Sequence, residues 1–175
     1  MLRNDYFLVI FPARMNDMTN KKTFLKELKS NWKYSTIAVK LNRVYVKNIR
    51  IKNAEEVYEF LKEIWDNDLM NIQEQFAAIY FNQRNNVIGY RVINTGSSTS
   101  CIVDIKLLVC LALHSMATGV IIAHNHPSGN LTPSKQDETI TAKIKDALKL
   151  IDVKLMDHVI VSDTEFFSFA EAGML

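Results

Sequence analysis

Glycine is scarce in this sequence, and its placement is uneven. The 175 residues include five glycines, and none of them precedes Gly89. Residues 1–88 therefore lack the glycines that commonly end helices and form tight turns, and asparagine takes their place there. Because 48% of the residues are apolar, the chain can still form a hydrophobic core. This composition excludes disordered, collagen-like and coiled-coil proteins.

Cysteine and long hydrophobic runs are also lacking. The two cysteines, Cys101 and Cys110, lie among apolar neighbours, so we interpret both as structural residues in a reducing compartment. No run approaches the ~20 apolar residues that a membrane-spanning helix needs. The short run over 6–11 ends at Pro12 and is typical of a strand rather than of a signal peptide. These absences predict a soluble, cytoplasmic protein with no membrane partner.

The net charge of +2 hides an uneven distribution of charge. Residues 1–53 contain 12 Lys and Arg against 3 Asp and Glu, a net charge of +9. Residues 54–175 contain 9 Lys and Arg against 16 Asp and Glu, a net charge of −7. The asymmetry predicts two parts, a basic N-terminal extension over 1–53 and a second domain over 54–175.

The basic extension has the pattern of a small α+β unit. A strand over 6–11 precedes a helix over 21–32 and an extended segment over 34–46. A row of lysines in the helical region fits either a solvated face or a surface that follows a nucleic-acid backbone. These lysines are Lys21, Lys22, Lys26, Lys29 and Lys33.

Apolar periodicity in the second part predicts an α/β fold, in which helices flank a mixed β-sheet. Asn53 and Glu56 form a capping-box pattern that starts the first helix. The second helix starts near Asp104, is apolar nearly all round, which predicts burial, and is expected to end at Gly119. A third helix is expected over 133–150, and strands over 76–81, 87–93, 120–123, 153–162 and 166–169.

The most informative stretch is AHNHPSGNLTPSKQD, residues 123–137. Alternate residues of a strand point to the same side, so His124 and His126 are expected to project together from a strand end. Pro127 cannot donate to a strand ladder and therefore ends that strand. The two imidazoles are thus expected to lie on the same side of the strand, close enough to contact the same ligand.

Asp137 lies near the start of the next helix. The N-cap of that helix is expected at Thr132 and its first residue at Pro133. Helical spacing puts Asp137 on the same face as Ile140 and Ile144, and this face packs on the sheet. A carboxylate in that place needs a partner, and the two histidines are the nearest candidates.

Two histidines and one carboxylate form a common zinc set that leaves one position open. Each feature alone has a simpler explanation, because surface histidine pairs are common and a buried aspartate near a helix start often only caps the helix. Their occurrence in one strand-loop-helix unit favours metal binding. The sequence therefore predicts one zinc ion per chain, bound by His124, His126 and Asp137.

This spacing, His-x-His followed by seven residues and Ser-x-x-Asp, resembles the JAMM motif of the JAB/MPN metalloproteases, and the similarity is greater to the bacterial RadC branch. The resemblance rests on HNHPSGNLTPSKQD at 124–137, LMDHVIV at 155–161 and FFSFAEAGML at 166–175. It spans residues 54–175 and implies a cytidine-deaminase-like α/β architecture. Asn125 stands where deubiquitinating members have Ser or Thr, which argues against a ubiquitin-like substrate.

The resemblance also implies two catalytic residues. Glu74, at the start of a strand, corresponds to the general acid/base, although such a residue can also be an ordinary solvated strand-entry residue. Ser134 would stabilise the oxyanion or the metal-bound water through its hydroxyl group. The alternative for Ser134 is a first-turn serine that bonds to the local backbone.

Four further polar residues have weaker signals. Asp157 and His158 lie on a strand expected beside the histidine strand, where either could support a ligand imidazole or simply be packed. We interpret Asp104 as a helix cap and His114 as a satisfied core histidine.

The function that these features predict is a zinc-dependent hydrolase of the metallopeptidase type, which cleaves a peptide, isopeptide or other amide bond in a protein or peptide substrate. The alternative is a module with a metal site but no turnover, which acts in protein interaction or, as the RadC resemblance implies, in DNA repair by nucleic-acid binding through residues 1–53. The lack of glycine before Gly89 argues against the helix-hairpin-helix segment of longer RadC proteins.

Overall fold

The computed structural model describes residues 49–96 and 103–175. The strand, helix and extended segment predicted for the basic extension lie outside these residues, as does Cys101. The described residues form helices α1 (Ala54–Ile64), α2 (Ile105–His114) and α3 (Lys135–Lys149), and strands β1 (Gln75–Phe81), β2 (Val87–Thr95), β3 (Gly119–Asn125), β4 (Lys154–Val161) and β5 (Phe166–Ser168).

The five strands form one mixed sheet in the order β2-β1-β3-β4-β5. β1 pairs antiparallel with both β2 and β3, and β5 pairs antiparallel with β4. β3 and β4 are parallel, and α3 connects them. The predicted α/β fold with a mixed sheet is therefore confirmed.

Helices cover both faces of the sheet. Successive side chains of a strand point to opposite faces, so the apolar central strands need packing partners on both. Ala77 and Ile79 of β1 pack in one core cluster with residues of α1, whereas Ala78 and Tyr80 pack in a second cluster with residues of α2 and α3. All residues of β1 and β3 are buried, so the central strands lie within the core on both faces. Among the described residues, no helix is long and apolar enough to cross a membrane.

The predicted caps of α1 and α2 are confirmed. Asn53 accepts a hydrogen bond from the Glu56 backbone amide at 2.9 Å, and Asp104 accepts one from the Leu107 amide at 2.9 Å. The Glu56 carboxylate accepts from the amide of Lys52 at 2.8 Å, one residue before the cap. Side-chain acceptors at these positions satisfy amides that have no partner within the helix.

Two predicted helix boundaries are wrong. α3 starts at Lys135 rather than Pro133, and its N-cap is Ser134 rather than Thr132, because Ser134 and Asp137 form a reciprocal capping box. Gly119 does not end α2, which stops at His114 and is followed by Met116 with a φ of 53°. Gly119 begins β3, where a Cβ would lie 2.5 Å from the Met156 sulfur.

The predicted burial of α2 is also wrong. Only Leu108 and Ala112 of this helix are buried, because the sheet covers one side of the helix. His114, expected in the core, is exposed, and its Nδ1 lies 2.8 Å from the Cys110 carbonyl oxygen. α2 thus has apolar residues on both of its faces, although among the described residues only one face packs against the rest of the protein.

Asp157 ties β4 to the C-terminal turn. Its Oδ2 accepts from the Ser168 hydroxyl at 2.6 Å, and its Oδ1 accepts from the Ala170 and His158 amides at 2.9 and 2.7 Å. The side chain is buried and is hydrogen bonded toward β5 and the turn that follows it. Of the two predicted roles for Asp157, its contacts match the structural one.

Replacement of Asp157 by Ala should lower the free energy of unfolding by about 3 kcal/mol, because three donors, two of them buried, lose their acceptor. Urea denaturation measures this difference. Asp163→Ala, which truncates an exposed aspartate in the same region, is the matched control and should change stability by less than about 0.5 kcal/mol. Equal losses in the two variants would contradict the structural role of Asp157.

Candidate metal centre

Two histidines and one aspartate converge where β3 ends and α3 begins. His124 is 1% exposed on the α3 side of the sheet, and His126 follows the strand with 17% of its side chain exposed. The Nε2 of His124 is 3.2 Å from Asp137 Oδ1, the Nε2 of His126 is 3.6 Å from Asp137 Oδ2, and the two nitrogens are 2.9 Å apart. The structure thus brings all three predicted ligands together.

These spacings suit a small divalent cation. Tetrahedral ligands bonded to zinc at roughly 2.0–2.1 Å are about 3.3–3.4 Å from one another. The three candidate ligand atoms lie within 4.8 Å of one another. Two imidazole nitrogens and a carboxylate oxygen form a donor set that zinc shares with several first-row metal ions. The residues therefore fit a divalent metal of this class.

A chain of hydrogen bonds assigns the tautomer of His124. The Thr141 hydroxyl donates its single hydrogen to the Asp137 carbonyl, so it must accept from His158 Nδ1, 2.6 Å away. The Nε2 of neutral His158 then carries no hydrogen and accepts from His124 Nδ1 at 2.8 Å. His124 consequently directs an unprotonated Nε2 at the Asp137 carboxylate.

The same reasoning assigns His126. Its Nδ1 contacts the carbonyl oxygen of Asn130, which can only accept, so Nδ1 carries the hydrogen and Nε2 is free of it. Two nitrogen lone pairs and a carboxylate oxygen therefore meet in one small space when both imidazoles are neutral. Only a proton or a cation can relieve the repulsion between them, which supports metal binding independently of the motif.

The Asp137 carboxylate is also held by its own helix. Its Oδ2 accepts from the Ser134 backbone amide at 2.7 Å, and the Ser134 hydroxyl accepts from the Asp137 amide at 3.2 Å. The local-backbone alternative predicted for Ser134 is therefore observed. Ser134 is exposed, and a hydroxyl that accepts one bond can still donate its hydrogen to a ligand.

The charges of the site shift the pKa values of its groups. Burial acts to raise the pKa of Asp137, but the favourable interaction of its carboxylate with the imidazoles of His124 and His126 in their protonated form outweighs burial and holds that pKa well below its usual range. The pKa of His126 is raised, because a protonated Nε2 would donate a hydrogen bond to the Asp137 carboxylate. Burial lowers the pKa of His158 well below its ordinary value, so His158 stays neutral as the hydrogen-bond chain requires.

Glu74 lies immediately before β1 and is half-buried. Burial raises the pKa of its carboxyl, and the nearby imidazoles of His124 and His126 oppose this while the Asp137 carboxylate adds to it. The predicted acid/base residue is therefore close enough to the candidate ligands for their charges to act on it.

Sequence reasoning missed Thr141 and the contacts of Asn125. Thr141 lies one helical turn after Asp137 on the buried face of α3, and a polar residue on such a face signals a hydrogen-bonding partner inside. His158 was considered as a support for a ligand imidazole, and its contact with His124 is observed. It is packed between the rings of Phe76 and Phe169, at centroid distances of 5.9 and 4.6 Å.

Replacement of Thr141 by Val keeps the side-chain shape but removes the acceptor for the Nδ1 hydrogen of His158. His158 can then carry its hydrogen on Nε2, which leaves the His124 hydrogen on the ligand nitrogen. We expect the Kd for Zn²⁺ to rise about 10- to 100-fold, measured by competition with a chromophoric chelator.

The matched control is Thr139→Val. The Thr139 hydroxyl makes the same kind of bond on the same helix, to the Lys135 carbonyl at 2.8 Å, but it is exposed and does not belong to the hydrogen-bond chain that includes the histidines. Wild-type affinity in both threonine variants would show that Thr141 does not control the tautomer.

Comparison with known proteins places these residues in a family. The family model described as RadC-like JAB domain matches residues 51–174. The chain is 37% identical over 134 residues to a UPF0758 protein of Flavobacterium johnsoniae, which covers 71% of this chain and 58% of that protein. It is 44% identical over 103 residues to UPF0758 protein YfjY of Escherichia coli, which covers 59% and 64%.

A UPF0758 protein of Aquifex aeolicus is 35% identical over 127 residues, which covers 73% of this chain and 53% of that protein. The chain thus spans less than two thirds of the length of these relatives. The match nevertheless covers most of this chain and includes β3, α3 and every candidate ligand, which confirms the predicted resemblance. The chain belongs to the family of RadC-like JAB domain proteins.

Proposed function

We propose that this protein is a zinc-dependent hydrolase that cleaves a peptide, isopeptide or other amide bond in a protein or peptide substrate. The observation that carries the proposal is the convergence of His124, His126 and Asp137, with two unprotonated ring nitrogens directed at one carboxylate. A set of three protein ligands leaves a position open for water or substrate, as catalytic zinc sites do.

The zinc ion would supply Lewis acidity, which makes water acidic enough to attack near neutral pH. The Glu74 carboxylate would accept a proton from the attacking water and deliver it to the leaving nitrogen. Its burial supports this role, because a raised carboxyl pKa brings proton donation closer to neutral pH. The Ser134 hydroxyl would donate to the oxygen that gains negative charge.

Substrate access is expected from the His126 side. His124 is buried behind the site, whereas His126 and the loop residues that follow it are increasingly exposed. Ser134, the N-cap of the helix that carries Asp137, is exposed as well. A peptide carbonyl that enters there would meet His126 and the Ser134 hydroxyl before the buried imidazoles.

Glu74→Gln should retain the metal and lose turnover. Glutamine keeps the size of the side chain but cannot accept a proton, so kcat should fall at least about 100-fold while the Kd for Zn²⁺ changes little. Hydrolysis of a peptide and isopeptide library, followed by mass spectrometry, measures turnover, and metal analysis measures the zinc content.

Glu63→Gln is the control for this experiment, because it makes the same change on the exposed face of α1. Undiminished hydrolysis by the Glu74 variant would remove Glu74 from the mechanism. Metal-loaded wild type that cleaves no member of the library would contradict the hydrolase proposal and favour an interaction module with a metal site.

A second candidate function is nucleic-acid binding through residues 1–53, which the net charge of +9 in that part favours. Phosphate contacts by Lys and Arg release counterions, so the affinity should fall steeply with salt. A fluorescence-anisotropy titration with duplex and single-stranded DNA at several salt concentrations tests this. Lack of binding at low salt would exclude the second function.

A further inference from the structure

Asn125 stands between two candidate ligands in the sequence but faces away from them. It is the last residue of β3, and the alternation of the strand directs its side chain to the α1 side of the sheet, opposite His124. The side chain is completely buried, with 0% exposure. A buried amide of this kind requires partners for its oxygen and its nitrogen.

The three partners of Asn125 lie at the first residue of β1 and in the segment that leads into it. Its Oδ1 accepts from the Gln75 amide at 2.7 Å, and its Nδ2 donates to the carbonyl oxygens of Met70 at 2.6 Å and Gln73 at 2.9 Å. One donor and two acceptors settle the orientation of the amide group. Two of the three bonds go to the residues on either side of Glu74.

The Asn125 side chain acts where backbone pairing stops. The ladder between β1 and β3 ends at the pair of Phe76 and His124, so the Gln75 amide bonds to the Asn125 side chain rather than to the β3 backbone. Glu74 itself is tied from the other side, because its carbonyl accepts from the Gly96 amide at 2.7 Å. The backbone of Glu74 is therefore held from both sides.

We propose that Asn125 is a positioning residue for Glu74. The proposal rests on the acid/base role proposed for Glu74 and adds how that residue is placed. Asn125 lies between His124 and His126 and holds the backbone on either side of Glu74. The distance between the Glu74 carboxylate and the metal therefore depends on the backbone at the end of β3. Misplacement of a reacting group by about 1 Å can lower a rate about 100-fold.

Asn125→Asp is the sharpest test, because aspartate has the same shape. Its Oδ1 can still accept from the Gln75 amide, but its second oxygen faces two carbonyl oxygens and repels them. We expect the amides of Ile72 and Gln73, which bond to the Leu69 carbonyl, to exchange hydrogen about tenfold faster by NMR. Asn125→Ala, which removes all three bonds, should extend this acceleration to the Gln75 amide.

The ligands are untouched in these variants, so the Kd for Zn²⁺ should stay within about twofold of wild type. The kcat of Asn125→Asp should fall at least about tenfold with little change in KM, because Asn125 is buried on the face of the sheet opposite His124, away from the proposed substrate opening. Asn71→Asp, which adds the same charge at an exposed position of the same loop, is the matched control and should change none of these quantities.

A double-mutant cycle separates positioning from general stability. If Asn125 acts through Glu74, the variant with both Asn125→Asp and Glu74→Gln should hydrolyse at the rate of Glu74→Gln alone. Multiplied losses in the double variant would overturn the proposal. So would unchanged hydrogen exchange in the loop, or loss of zinc from Asn125→Asp. If the wild type hydrolyses nothing, the proposed function fails, and exchange and zinc affinity alone decide whether Asn125 holds this segment.

Discussion

The site depends on a chain of three hydrogen bonds that starts at the Asp137 carbonyl and ends at His124, whose Nε2 faces the carboxylate of the same Asp137. The Asp137 carbonyl accepts from Thr141, Thr141 accepts from His158, His158 accepts from His124, and His124 Nε2 faces the Asp137 carboxylate. Thr141 and the neutral rings of His158 and His124 each have one hydrogen to give, so the direction of the first bond decides the others. The hydrogen bond accepted by the Asp137 carbonyl in α3 thereby determines which tautomer the candidate ligand His124 adopts.

This chain of hydrogen bonds is stable because the surrounding fold excludes water from it. His124 and His158 are buried, the ring of Phe76 stacks on His124, and the ring of Phe169 stacks on His158. In such an environment an unpaired polar atom is costly, so the complete set of hydrogen bonds is strongly favoured over a partial one. Parallel pairing of β3 with β4 and the packing of α3 bring the residues of this hydrogen-bond chain together.

Most individual elements could be predicted from local sequence. The caps at Asn53 and Asp104, the β1–β2 hairpin and the strand that carries the histidines are as expected, because caps, turns and periodicity depend on neighbouring residues. The errors concern burial and chain reversal. His114 and Gly119 were misplaced because local composition does not reveal which side of α2 the sheet covers, or that Met116 would take the left-handed conformation.

The same division applies to the site. Spacing alone was sufficient to predict that His124, His126 and Asp137 lie together. A strand end, a short loop and a helix start bring these residues near one another within 14 positions of sequence. The role of Thr141, the choice between the two interpretations of His158, and the contacts of Asn125 with the segment around Glu74 emerged only from the tertiary structure. These contacts join elements that are up to 55 residues apart. Hydrogen bonds across such separations depend on how strands are ordered in the sheet, and that order is a property of the packed core rather than of any local pattern.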